Sequence, residues 1–135
     1  MTIKINHVAI WAQNLDRLKD FYCLHFNAQA GTFYFNPNKG FSSYFLSFDS
    51  GSRLELMHSI HMNTSPGLVD LIRPGYAHLS FEIGTKEDVD LFAKKLKKSG
   101  LPILDGPRWT GDGYYEFVTS DPEGNRIEFM ASPLP

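Results

Sequence analysis

A chain of 135 residues, 42% hydrophobic and 21% charged, has the length and composition of one globular domain with a real core. A net charge of -2 and a pI near 6.2 give no electrostatic footprint for nucleic acid or an anionic membrane, so neither is an expected partner. No run approaches the roughly 20 apolar residues of a membrane helix, and the single Cys23 excludes an intrachain disulfide framework. A lone thiol suits a reducing compartment, and cytoplasm is the expected location. The first strand, read from Ile3 to Trp11, leaves no room before it for the two regions of a secretory signal.

A helix is expected after this strand, starting near Asn14, whose side chain can accept a free backbone N–H. Leu15, Leu18 and Tyr22 give it one apolar side. Strands follow at about Ala30 to Phe35, Phe41 to Phe48 and Arg53 to His58. Asn36-Pro37-Asn38-Lys39-Gly40 and Ser50-Gly51 turn between them. Residues 61–75, with Pro66-Gly67 and Pro74-Gly75, read as a connector. The pattern then repeats. A strand at Tyr76 to Phe81 precedes a helix from Thr85 in which Val89, Phe92, Ala93 and Leu96 share one side. Lys94, Lys95, Lys97 and Lys98 suit the negative end of its dipole as a solvated face, and Gly100 is a natural stop. Strands at Pro102 to Arg108, Tyr114 to Ser120 and Asn125 to Ala131 complete the chain.

The order is βαβββ twice, and the echo extends to residues. Asn6-His7-Val8-Ala9-Ile10 returns as Ala77-His78-Leu79-Ser80-Phe81, and Arg53-Leu54-Glu55-Leu56-Met57 as Arg126-Ile127-Glu128-Phe129-Met130. His7 and His78 lie 71 positions apart, Glu55 and Glu128 73. The expected fold class is therefore α+β, one domain over 1–135. Module one covers about 1–60, module two about 76–135, and the two share an interface.

Strand alternation places one His and one Glu of each half on the side away from its helix. Leu54 and Leu56 oppose Arg53, Glu55 and Met57, while Ile127 and Phe129 oppose Arg126, Glu128 and Met130. Imidazoles and carboxylates together suit Zn²⁺, Ni²⁺, Co²⁺, Mn²⁺ or Fe²⁺, and an incomplete protein shell leaves room for substrate. Taken singly, each residue reads as well as a solvent-facing polar group, and Arg-x-Glu as a surface ion pair of little worth. Periodicity leaves both readings open; the joint repetition is what draws attention to the four.

Further residues carry the case. Asp16 to Tyr22 in the first helix, Gly75-Tyr76-Ala77-His78-Leu79, and Asp121-Pro122-Glu123-Gly124-Asn125-Arg126-Ile127-Glu128 join the segments above. With them the whole chain resembles the vicinal oxygen chelate superfamily of glyoxalases, bleomycin-resistance proteins and extradiol dioxygenases, and a glyoxalase I-like member above all. The resemblance implies paired βαβββ modules, each a curled mixed sheet, around a metal-binding cleft. It implies that His7, Glu55, His78 and Glu128 hold one divalent ion, Zn or Ni first and Fe, Mn or Co next, and that a homodimer builds the site. It also implies a lyase or isomerase that stabilises an enolate or enediolate of a small carbonyl or thioester-type substrate. Glu128, or alternatively Glu55, is then the catalytic base.

One position departs from the family pattern. Trp11 stands four residues after the first ligand, where bacterial glyoxalase I carries an arginine that grips the glutathione carboxylate. A Trp lacks that bidentate fork, which sets glutathione in question. Trp11, Met57, Tyr76, Arg108, Tyr114 and Met130 are candidate pocket residues, and the glycine-bearing stretch Asp105 to Gly113 a candidate mobile rim. His25, His58 and His61 have no counterpart in the other half and are read as non-ligands. The alternatives are an antibiotic-resistance protein, either thiol transferase or sequestering binder, and less readily an extradiol dioxygenase.

Overall fold

The structure, a computed structural model, describes residues 1–63, 72 and 74–133. Pro66-Gly67 and the rest of the expected connector at 64–71 and 73 lie outside the described residues. The chain forms two compact units, Met1–Pro66 and Gly67–Pro135.

In the first unit the elements are β1 (His7–Trp11), α1 (Leu15–Phe26), β2 (Gln29–Ala30), β3 (Tyr34–Asn36), β4 (Phe41–Ser47) and β5 (Arg53–Ser59). β1 runs parallel to β5, β5 antiparallel to β4, and β2 and β3 both pair with β4. Asn14 caps α1 as expected, accepting from the Arg17 N–H at 3.0 Å. Asn27 ends the helix in the left-handed region at φ 55°, a conformation Asn tolerates. Leu15, Leu18, Phe21, Tyr22 and Phe26 are buried on one side of α1, and Leu46, Leu54 and Leu56 on the sheet beneath it. Burying each such side chain contributes about 1.5–3 kcal/mol before the entropy cost of ordering it.

The second unit repeats the plan with β6 (Leu79–Glu82), α2 (Lys86–Lys98), β7 (Asp105–Trp109), β8 (Tyr115–Ser120) and β9 (Arg126–Met130). β6 is parallel to β9, and the order is β6-β9-β8-β7. Thr85 and Asp88 form a capping box, each side chain accepting the other's backbone N–H, at 3.2 Å and 2.8 Å. Val89, Ala93 and Leu96 are buried on α2. Beneath the helix, Phe129 stacks on Phe81 and Phe117, both at 5.3 Å, and takes the edge of Phe92 at 4.9 Å. Two βαβββ modules with mixed sheets, neither a closed barrel, are thus what this sequence builds.

Several boundaries differ from the sequence reading. The first strand begins at His7, not Ile3, and β6 begins at Leu79, so His78 stands one residue ahead of it. The span Ala30 to Phe35 is not one strand: residues 31–33 interrupt it, and the register on β4 slips by one between Ala30↔Leu46 and Tyr34↔Ser43. Residues 102–104 stay outside β7. The first half of the stretch from Asp105 to Gly113 is β7. Thr110 closes the rest as a hairpin, donating to and accepting from Tyr114. Among the described residues no helix is long and apolar enough to cross a membrane.

Candidate metal centre

Strand pairing brings each expected His to its Glu. In the first unit the parallel register sets His7 opposite Arg53 and Ala9 opposite Glu55, all on the sheet side away from α1. The His7 Nε2 lies 3.6 Å from a Glu55 carboxylate oxygen. In the second unit Ser80 is opposite Glu128, and the His78 Nε2 lies 3.2 Å from Glu128. Both imidazoles are about a third exposed, at 38%, whereas Glu55 and Glu128 are 14% and 19% exposed. The histidines are reachable, and the carboxylates are set deeper behind them. Among the described residues no three His, Cys, Asp or Glu side chains gather into a metal cage; each unit presents a pair.

The pairs pass a simple geometric test. Two ligands about 2.1 Å from one ion stand about 3.0 Å apart at a right angle and about 3.4 Å apart at the tetrahedral angle. Separations of 3.2 and 3.6 Å lie close to that range. His7 is also oriented: its Nδ1 meets Asn6 Oδ1 at 2.8 Å, which turns Nε2 toward Glu55. The same Asn6 oxygen accepts from Arg53 at 2.9 Å, and the Arg53 guanidinium lies over Phe45, 4.3 Å from its centroid. Phe45 in turn meets the His7 ring edge-on at 5.1 Å. Outer partners of this kind fix a metal-binding imidazole.

Glu128 is positioned by the turn before it. The Asp121 carboxylate, 4% exposed, accepts from the backbone N–H groups of Glu123 and Asn125 and from the Asn125 amide. This is the physical content of the Asp-Pro-Glu-Gly-Asn segment: a buried template that starts β9 in register.

The other candidates fare unequally. Trp11 and Met57 are register partners on the His7 side, and Met130 lies opposite Glu82 and Glu116 on the Glu128 side. Tyr114 sits in the β7–β8 hairpin, 41% exposed. Tyr76 stands 98% exposed ahead of β6. Arg108 is engaged by Asp105, which accepts from its Nε at 2.9 Å and its Nη2 at 2.7 Å. His58 bonds the Ala12 carbonyl through Nδ1 at 2.8 Å, and His25 packs against Phe21.

Sequence reasoning passed over Glu116. On β8 it faces Met130 on one side and Arg108 on the other, sharing the sheet side of Glu128. Burial first, then the Glu128 carboxylate and a hydrogen bond with it, push its carboxyl above the ordinary range. Gly106 permits this close pairing: at φ 79° a Cβ there would fall 2.5 Å from the Glu116 carbonyl oxygen. Alternation in Tyr115-Glu116-Phe117-Val118-Thr119 was the available signal.

Residues 4–129 match the description Glyoxalase/Bleomycin resistance protein/Dioxygenase superfamily. The chain belongs to that superfamily. No curated protein matches it in sequence. Solved structures show the same glyoxalase-superfamily fold at low identity. A glyoxalase/bleomycin resistance protein/dioxygenase domain from Frankia superposes with a TM-score of 0.81 at 18% identity, covering 98% of this chain and all of that one. The trypanothione-dependent glyoxalase I of Leishmania major gives 0.76 at 20% identity over 96% and 87%. A glyoxalase family protein of Enterococcus faecalis gives 0.75 at 25% over 94% and 96%. At such identities the fold is what is shared.

Proposed function

We propose that this chain is a metal-dependent enzyme of the glyoxalase type, an isomerase or lyase acting on a small carbonyl or thioester-type substrate in the cytoplasm. Two His–Glu pairs make up its four-ligand centre: His7 with Glu55 and His78 with Glu128. The observation that carries the reading is the repeated pair itself, each imidazole 3.2–3.6 Å from a half-buried carboxylate. The donor set suits one divalent ion, Zn²⁺ or Ni²⁺ first and Fe²⁺, Mn²⁺ or Co²⁺ next. Such an ion supplies Lewis acidity to a developing enolate oxygen. His7 holds its Nε2 forward because the Asn6 side-chain oxygen meets its other nitrogen, and Arg53 donates to that same oxygen. Glu128 serves as the base, taking a proton from the substrate carbon and returning it to the neighbouring atom, with Glu55 as the alternative. A homodimer is the assembly in which we place the site.

Glu128→Gln tests the role. A screen of hemithioacetals and acyl-thioesters should show turnover lower by about 10²–10⁴-fold, with the melting temperature nearly unchanged. A collapse of the melting temperature would make Glu128 structural instead.

A further inference from the structure

The side of the first sheet that carries His7 and Glu55 continues into a wall of rings. Trp11, Met57, Ser43 and Tyr34 form one row across β1, β5, β4 and β3, and Ser59, Phe41 and Asn36 form the next. Trp11 meets Phe41 edge-on at 6.3 Å, and Tyr34 tilts against Phe41 at 6.1 Å. Trp11 is 54% exposed and Tyr34 52%. Neither row contains a charged side chain. Met57 follows Glu55 on the same side by two residues, which on a strand is about 7 Å. Phe33 and Phe35 do not belong to this wall: they stack on each other, and Phe33 leans on Tyr44, whose hydroxyl bonds Asp16 of α1.

We infer that the carbonyl substrate carries a flat aromatic group, seated against Trp11, Tyr34, Phe41 and Met57. This rests on the metal-centre reading for the position of the reacting carbonyl. Half-exposed rings cost free energy in water, and a ring laid on them removes apolar area from solvent on both partners. A thioether beside rings adds a polarisable, adaptable contact. The chargeless rows disfavour a multiply ionic conjugate there, because its carboxylates would lose hydration without gaining a partner. Glu55, two residues before Met57 on the same strand, lies where the carbonyl end would bind, so the occupant is apolar at the far end and polar at the near end.

The test compares two chelating probes on Ni²⁺-loaded protein by calorimetry. 2-Naphthohydroxamate should bind at least about tenfold tighter than acetohydroxamate. Trp11→Ala and Phe41→Ala should each erase most of that preference while leaving acetohydroxamate affinity and nickel content unchanged. Equal affinity of the two probes, or a preference that survives both substitutions, overturns the inference. Should wild type take up none of Ni²⁺, Zn²⁺ and Fe²⁺, the metal reading fails, and naphthalene-2-carboxamide then tests the wall alone. A saturable shift of the Trp11 indole N–H, assigned with Trp109→Phe, supports it, and no shift overturns it. Shielding of Trp11 from acrylamide that appears only as chains self-associate, without a probe effect, would assign the rings to a second copy and also overturn it.

Discussion

On β5, Met57 lies between Trp11 and Ser43, with Tyr34 beyond. On β9, Met130 holds the corresponding place, but its neighbours are Glu82 and Glu116, with Arg108 beyond. One strand step back, Glu55 faces Phe45 while Glu128 faces Val118. The two units therefore share a frame of His, Glu and Met and surround it with opposite chemistry, rings in the first and charges in the second. Side chains under the helices must fill a fixed volume, so they stay largely apolar in both halves, the buried Thr119 hydroxyl being satisfied by the Pro102 carbonyl. Those on the open side answer only to what they bind, and that is where the halves have diverged.

If both frames depend on their own cores, damage to either should be severe. Phe129→Ala, which removes the ring shared by Phe81, Phe92 and Phe117, should lower stability by about 3–5 kcal/mol, and Leu56→Ala by about 2–5 kcal/mol. Chemical denaturation measures both, and a loss under about 1 kcal/mol at either position would break the symmetry.

Exchanging the open sides sharpens the contrast. Ser43 is 3% exposed, so Ser43→Glu places a carboxylate among rings and should cost about 2 kcal/mol or more at neutral pH. The second unit already bears that strain at Glu116. Its raised carboxyl keeps a proton in the folded protein to higher pH than in the unfolded chain. The associated stability is complete at acid pH and declines as pH climbs from the ordinary carboxylate range toward the raised value. In chelator-treated protein, Glu116→Gln should flatten that decline; an unchanged pH slope would mean Glu116 does not carry it.

The frame was legible in the sequence because it is repeated. The echo of His7 and Glu55 in His78 and Glu128, the caps at Asn14 and Thr85, and the alternating leucines and phenylalanines each follow from local rules. The broken strand at 31–33 was not legible, because a one-residue slip in register leaves no mark on alternation within a single strand. Gly31, whose N–H bonds the Phe45 carbonyl at 2.8 Å, was the only hint. Glu116 escaped notice because its counterpart in the first unit is Ser43, and a search for matched pairs discards what does not match. Tyr34 and Phe41 were missed for a different reason: β4 brings them beside Trp11 from 23 and 30 positions away.

The smallest effect separates the two helix starts. Thr85→Ala and Asn14→Ala should each cost about 1 kcal/mol. Only the first should change the slope of the acid limb. The Thr85 backbone N–H, then its hydroxyl, holds Asp88 below the ordinary carboxylate value. That stability is present at neutral pH and is lost as pH falls through the lowered value. The third position of α1 is Arg17, so Asn14→Ala should shift the acid limb without changing its slope. Parallel acid titrations by circular dichroism decide it.

The most direct test of the account is elemental analysis of protein purified without chelator, beside the His7→Ala/His78→Ala double variant. The account predicts about one divalent ion per chain, absent from the variant at an unchanged circular dichroism spectrum. No ion in either protein, even after incubation with Zn²⁺, Ni²⁺ and Fe²⁺, would contradict it and leave the two His–Glu pairs as ordinary polar contacts.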